Sequence, residues 1–169
     1  MAGNKYLFNN AGAITEVVTP QTSAGAGDAG KIPALDSAGK LDTSFMPVGI
    51  GSETDSIATS ESLAAGDYVN IWNSTGIKVR KADGTTTGKQ ADGFVLATHT
   101  HPTTAIVYRV SQLNNQKTGM TVGAKQYLAA AGGTVESAPT TAGYTLQLLG
   151  VAISATEVAF NPSDPIILA

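Results

Sequence analysis

The sequence predicts a mainly β fold: a small β-barrel or β-sandwich domain preceded by an extended N-terminal arm. Three observations lead there. Nineteen glycines in 169 residues are more than a helical protein tolerates. From Tyr68 onward, short apolar runs alternate with turn signals at regular spacing. Ahead of that, the first 50 residues are rich in Gly, Ala, Ser, Thr and Pro, a composition that supports no core of its own. The boundaries expected are therefore an arm or connector over 1–50 and a β domain over 51–169.

In the arm, the one β-branched run is AITEVV (13–18). Elsewhere single apolar residues are spaced along a polar chain, and these are the candidate partner-binding anchors: Leu7, Phe8, Ile32, Leu35, Leu41, Phe45 and Met46. Pro47 biases Met46 toward an extended backbone, which presents neighbouring side chains to opposite sides.

In the β domain, strands are expected at YVNIW (68–72), IKVRK (77–81), GFVLAT (93–98), AIVYRV (105–110), KQYLA (125–129), YTLQLLGVAIS (144–154), EVAF (157–160) and PIILA (165–169). Ile77 and Val79 alternate with Lys78 and Arg80, the pattern of a strand with one buried and one wet face. FVLA and IVY are apolar throughout and predict strands covered on both faces. Turns are expected at AAGD (64–67), NSTG (73–76), ADGTTTG (82–88), QLNNQKTG (112–119), AAAGG (129–133) and APTTAG (138–143). Short strands at such spacing argue for a barrel or a sandwich.

GAGDAGKIPALDSAGKLD (25–42) matches two nucleotide-binding patterns, Gly-x-Gly-x-x-Gly and all but the last position of the phosphate-loop pattern. A phosphate loop delivers its anion to a helix N-terminus. Here Ile32 stands where a Ser or Thr should follow Lys31, Pro33 comes next, and only five residues precede Gly39. That excludes a crossover helix. The stretch instead repeats itself, AGKIPALD against AGKLD, as a chain making two similar turns would. GTTTGKQ (84–90) has one residue too few between its glycines. No cofactor is expected.

Catalysis is not expected either. His99 and His101 stand two residues apart in THTHP, but zinc normally takes four ligands and the chain has no Cys. No metal site is expected, unless three copies around an axis pool their imidazoles. There is no Gly-x-Ser-x-Gly elbow, and carboxylates such as Asp67 and Asp83 sit in turn signals, where Asp serves turn geometry. Trp72 reads as a core residue, with an exposed sugar-binding platform as the alternative use.

The net charge is −3, and it is banded. Residues 51–77 carry Glu53, Asp55, Glu61 and Asp67 without a base, whereas 78–125 carry seven bases against Asp83 and Asp92. The reading is solvated strand faces, since an acidic chain without aromatic-interleaved basic runs gives no nucleic-acid signal. No run of 18 apolar residues and no apolar leader occurs, so neither membrane span nor secretion is expected and synthesis in the cytoplasm is.

GKIPALDSAGKLDTSFMP resembles a connector of tailed-bacteriophage tail-fibre and head-fibre proteins. SLAAGDYVNIWNSTGIKVRKAD (62–83) resembles the opening of phage capsid decoration, or cement, proteins, and residues 120–168 resemble their closing half. The resemblance implies a virion structural protein on the outer capsid surface, made in the host cytoplasm, commonly a homotrimer, with the major capsid protein as partner. The connector's second home in tail proteins implies an alternative: a tail-fibre or receptor-binding module recognising host glycan through an aromatic such as Trp72 or Tyr144.

Overall fold

The computed structural model describes residues 5–46 and 53–169, and the chain divides into two units, Met1–Gly51 and Ser52–Ala169. Residues 1–4 and 47–50 of the expected arm, including Pro47, and the expected boundary itself lie outside the described residues. Strands account for 37% of the chain and helix for 4%, so the fold is mainly β.

In the first unit, β1 (Lys5–Asn10) and β2 (Ala13–Val18) pair as an antiparallel hairpin. Its two-residue turn places Ala11 at φ 51° and Gly12 at φ 94°, the doubly left-handed turn that matches strand twist. Asn9 Oδ1 accepts the Gly12 amide at 2.8 Å. The rest of this unit is a chain of turns, each organised by an aspartate. Asp28 accepts the Ala24 amide at 2.6 Å and pairs with Lys31 at 2.8 Å. Asp36 Oδ1 accepts the amides of Ala38 and Lys40, and Asp42 Oδ1 that of Ser44. The repeat seen in the sequence is thus two Asp-led turns, with Gly30 and Gly39 in the left-handed region before Lys31 and Lys40.

The second unit holds two antiparallel five-stranded sheets. The first has the order β3 (Thr54–Ala58), β7 (Thr104–Tyr108), β6 (Gly93–Phe94), β4 (Tyr68–Asn73), β5 (Ile77–Lys81). The second has the order β10 (Thr134–Val135), β9 (Lys125–Leu128), β12 (Leu148–Ala152), β13 (Val158–Phe160), β8 (Gln112–Asn114). A short pair, β11 (Thr145–Leu146) with β14 (Ile166–Ile167), stands beside them. One isolated bridge, Thr59 to Val79, joins the outer edges of the first sheet at a single point, so that sheet is coiled without closing into a barrel. The architecture is sandwich-like.

Alternation along β4 explains the two cores. Val69 and Ile71 face a cluster with Ile57, Leu63, Val79, Val95, Ala105 and Val107. Tyr68 faces the other way, in a cross-strand row with Phe94 and Tyr108, and the second sheet covers this row with Leu128, Leu149 and Phe160. The rings of Phe160 and Phe94 meet edge to face at 5.5 Å, and Phe94 stacks on Tyr108 at 5.5 Å.

Several expected elements change. GFVLAT keeps only Gly93–Phe94 in the ladder, because beyond them the backbone bonds the turn at 63–67: Val95 N–H donates to Asp67, and Leu63 and His99 exchange amides. In IVY, Val107 is buried but Ile106 is 41% exposed, so β7 is covered on one face there, not two. YTLQLLGVAIS is split at Gln147, whose buried side-chain amide takes both the N–H and the C=O of Ala91. QLNNQKTG, expected as a turn, begins with β8, and TDSIA forms β3 although its sequence carries no strand pattern. Ile77 is 63% exposed, whereas Arg80 on the expected wet face is half-buried.

Candidate partner-binding surface

The seven anchors expected from the sequence all fall in the first unit. Leu7 is 75% exposed, Ile32 55% and Leu35 54%. Phe8 and Met46 are exposed as well, while Leu41 and Phe45 are half-buried. The local structure explains this. Pro20 accepts the Ala34 amide and Gln21 Nε2 bonds the Leu35 carbonyl, so Ala34 is buried and its neighbours are turned outward. Met46 has φ −91° and ψ 142°, the extended backbone of a residue before proline.

Of the seven, Phe8 alone lines an apolar cavity formed by described residues of the unit. With Tyr6, Val17, Ala29, Gly30 and Lys31 it encloses about 280 Å³ between the hairpin and the first Asp-led turn. Tyr6 and Val17 are cross-strand partners, which is why they share a face. Sequence reasoning missed both. The signal was the pair of alternating runs on either side of Ala11-Gly12, weak because that turn lacks its usual asparagine. Leu7, Ile14 and Val18 lie on the opposite hairpin face, exposed.

The segment with nucleotide-binding patterns has a different chemistry. Gly25–Asp28 is a four-residue 3-10 turn, and the Asp28 carboxylate already holds the Ala24 amide and the Lys31 ammonium. These bonds keep the Asp28 carboxyl below the usual carboxylate range, first through the Ala24 amide and then through Lys31. The Ala24 amide and the Lys31 ammonium are thus engaged by an internal carboxylate.

In the second unit the two charge bands meet each other. Arg109 pairs with Asp55 at 2.7 Å, Lys81 with Asp67 at 3.2 Å, and Glu61 accepts the Lys81 amide. Much of the banding is spent on joining β3 to β7 and on fixing the turn before β4. Trp72 is half-buried; its Nε1 donates to Ser60 Oγ at 3.1 Å, and the Arg80 guanidinium lies 4.3 Å from the ring centroid. One ring face is therefore covered. The His101 ring is tied through Nδ1 to the Thr59 carbonyl at 3.0 Å, and no cluster of three or more metal-ligating side chains occurs among the described residues.

The sequence also gave no sign of Lys117. It sits in an expected turn, yet its Nζ lies 4.4 Å from the centroid of the fully buried Tyr68 ring. Burial lowers its pKa to about 8, against the attraction of the Asp67 carboxylate. Burial likewise raises the Tyr68 phenol, with an opposing contribution from Asn114.

Compared with known proteins, the chain matches no family model, no curated protein and no solved structure.

Proposed function

We propose that this chain is a structural protein of a bacteriophage particle: a decoration, or cement, protein that holds to the outer surface of the head and stabilises contacts between capsomers. The single observation that carries the reading is the exposure of Leu7, Phe8, Ile32, Leu35 and Met46 in a unit shaped by carboxylate-capped turns, while the other unit, a β-sandwich, has its own core. Apolar groups presented this way gain most when a partner covers them. The major capsid protein is the partner proposed, and a homotrimer the assembly, both on the strength of the connector and β-domain resemblance. The mechanism is adhesion: modest contacts, repeated by the symmetry of the shell, add to firm retention.

Leu35 is the residue to test, because it is more than half exposed and its loss removes little internal packing. Leu35→Ala is expected to weaken attachment to the particle by roughly 2–4 kcal/mol per copy if the side chain fills a desolvated pocket. The melting temperature of the β-sandwich should stay the same. Unchanged attachment removes Leu35 from the interface. Imaging of intact particles separates the head from the tail: copies at the tail tip would favour a receptor-binding module, for which Trp72, under Arg80, offers at most one ring face.

A further inference from the structure

We propose that the N-terminal hairpin is a contact between copies of this chain: three hairpins pair edge to edge, β1 of one copy on β2 of the next, and close into a six-stranded ring with Leu7, Ile14 and Val18 inside. The inference rests on the homotrimer proposed above. It moves Leu7 from the capsid-facing set into the contact between copies and leaves Ile32, Leu35 and Met46 for the shell. The hairpin register carries it. The two-residue turn closes on the pair Asn10–Ala13, so amide exchange alternates from there through Phe8–Thr15 and Tyr6–Val17. The backbones of Leu7 and Asn9 on β1, and of Ile14 and Glu16 on β2, therefore point out of the hairpin, where their N–H and C=O groups meet no partner among the described residues. Both edges are open, and two strands alone have little stability in water. The same alternation sets Leu7, Ile14 and Val18 on one face, each more than half exposed, while Tyr6, Phe8 and Val17 line the cavity on the other.

The charges on that face name the occupant. It carries one base and one acid, Lys5 and Glu16, which meet diagonally within a chain at 2.7 Å. Pairing β2 on β2 about a two-fold axis through Glu16 sets carboxylate against carboxylate. Pairing β1 on β1 through Leu7 sets Lys5 against Asn9 and leaves both acids without a new partner. Pairing β1 on the β2 of another copy satisfies every position: with Leu7 opposite Ile14, Lys5 falls opposite Glu16, so apolar meets apolar and base meets acid. The ammonium has three donors and serves both carboxylates. A head-to-tail contact of this kind makes a ring if its rotation closes. Within the chain Leu7 faces Glu16, and between copies it faces Ile14, so the ladder slips by two residues at each protomer. Around three protomers the slip comes to about six residues, equal to the number of strands, and a closed barrel requires such a stagger. The same ratio in eight-stranded barrels tilts the strands by about 36°. The Leu7 face takes the inside because the Phe8 face already lies over the Ala29–Lys31 turn.

The test uses the full chain, which has no cysteine of its own. Leu7→Cys and Ile14→Cys are introduced together, and the protein is oxidised mildly and run on a denaturing gel without reductant. Between copies the two positions stand directly opposed, at a separation a disulfide spans. Within a chain they are diagonal neighbours, roughly 7–8 Å apart and too far to bridge. Covalent trimers that collapse to monomers on reduction are expected, and neither single variant should cross-link. Monomers or dimers alone, a ladder running past three, or dimers from either single variant would overturn the proposal. Ile14→Lys, placed on an exposed side chain, should turn the trimer recorded by light scattering into monomers and leave the melting of the β-sandwich unchanged. A trimer that survives this change overturns the ring as well. Binding to phage heads is scored separately: cross-linked trimers that fail to bind sink the decoration reading and leave the ring standing, whereas monomers that bind sink the ring alone.

Discussion

Lys117 governs how stability answers to pH. Its folded pKa of about 8 lies below the ordinary lysine value of 10.5, so between these limits the unfolded chain carries a proton that the folded chain lacks. Stability must therefore rise with pH across that window. Tyr68 acts in the opposite sense at higher pH. Its raised phenol keeps its proton in the fold while the unfolded chain loses it above pH 10, so stability falls again. Replacing Lys117 by Met removes the charge and keeps the stem. We expect Lys117→Met to add roughly 1–3 kcal/mol at pH 7 and to erase the rise between about pH 8 and 10, as urea titrations at several pH values would record. A variant whose pH profile matches the parent's would show that the Lys117 ammonium stays hydrated.

Among the described glycines, Gly150 of β12 leaves the least room for a side chain. Gly150 sits at φ 148°, opposite Phe160, next to the bulge that re-registers β12 on β9, and a Cβ there would meet the Ala159 carbonyl. Gly150→Ala is expected to destabilise the second unit by roughly 2–4 kcal/mol, read as a lowered urea midpoint. Its consequence reaches the centre of the sandwich, because Phe160 lies against both Tyr68 and Phe94. How far such elements can be read in advance depends on what specifies them. YVNIW and IKVRK were legible as strands because Val69, Ile71 and Val79 face a core directly, although Ile77 at the start of β5 is exposed. TDSIA was not, since β3 is a sheet edge in which only Ile57 is buried. Nor was β8, held by a buried Asn114 that donates to the Gly66 carbonyl, a polar bond with no hydropathy signature. At the candidate surface, single apolar residues on a polar chain were legible one by one, and five of the seven are exposed. The cavity beside Phe8 was not, because it depends on cross-strand register.

For the molecule as a whole, the two units differ in what stabilises them. The second has two apolar clusters, to which none of the described residues of the first contributes. A protease added to the free protein is expected to cut within residues 1–50 first and to leave a folded fragment from about residue 53 to 169, which keeps β3 and Ile57. On the assembled particle the same sites should be protected. Equal digestion in both states would count against the adhesive role, and early cuts in the fragment would deny it an independent core. Acid should weaken the turns of the first unit. Asp28 and Asp42 are held below the usual carboxylate range, Asp28 by the Ala24 amide and Lys31 and Asp42 by Ser44, so their support is present above that range and lost as pH falls through the folded values.

Those Asp-led turns have a kinetic consequence. Each closes over two to four residues, Asp36 to Ala38 and Lys40, Asp42 to Ser44, Asp28 to Ala24. Loops this short close in well under a microsecond and need nothing distant in the chain to do so. The turns therefore form and re-form many times before a diffusing molecule meets its target. On the proposed adhesive role, Ile32 and Leu35 would arrive already turned outward, and the rate of capture would be set by collision and orientation rather than by a search through chain conformations.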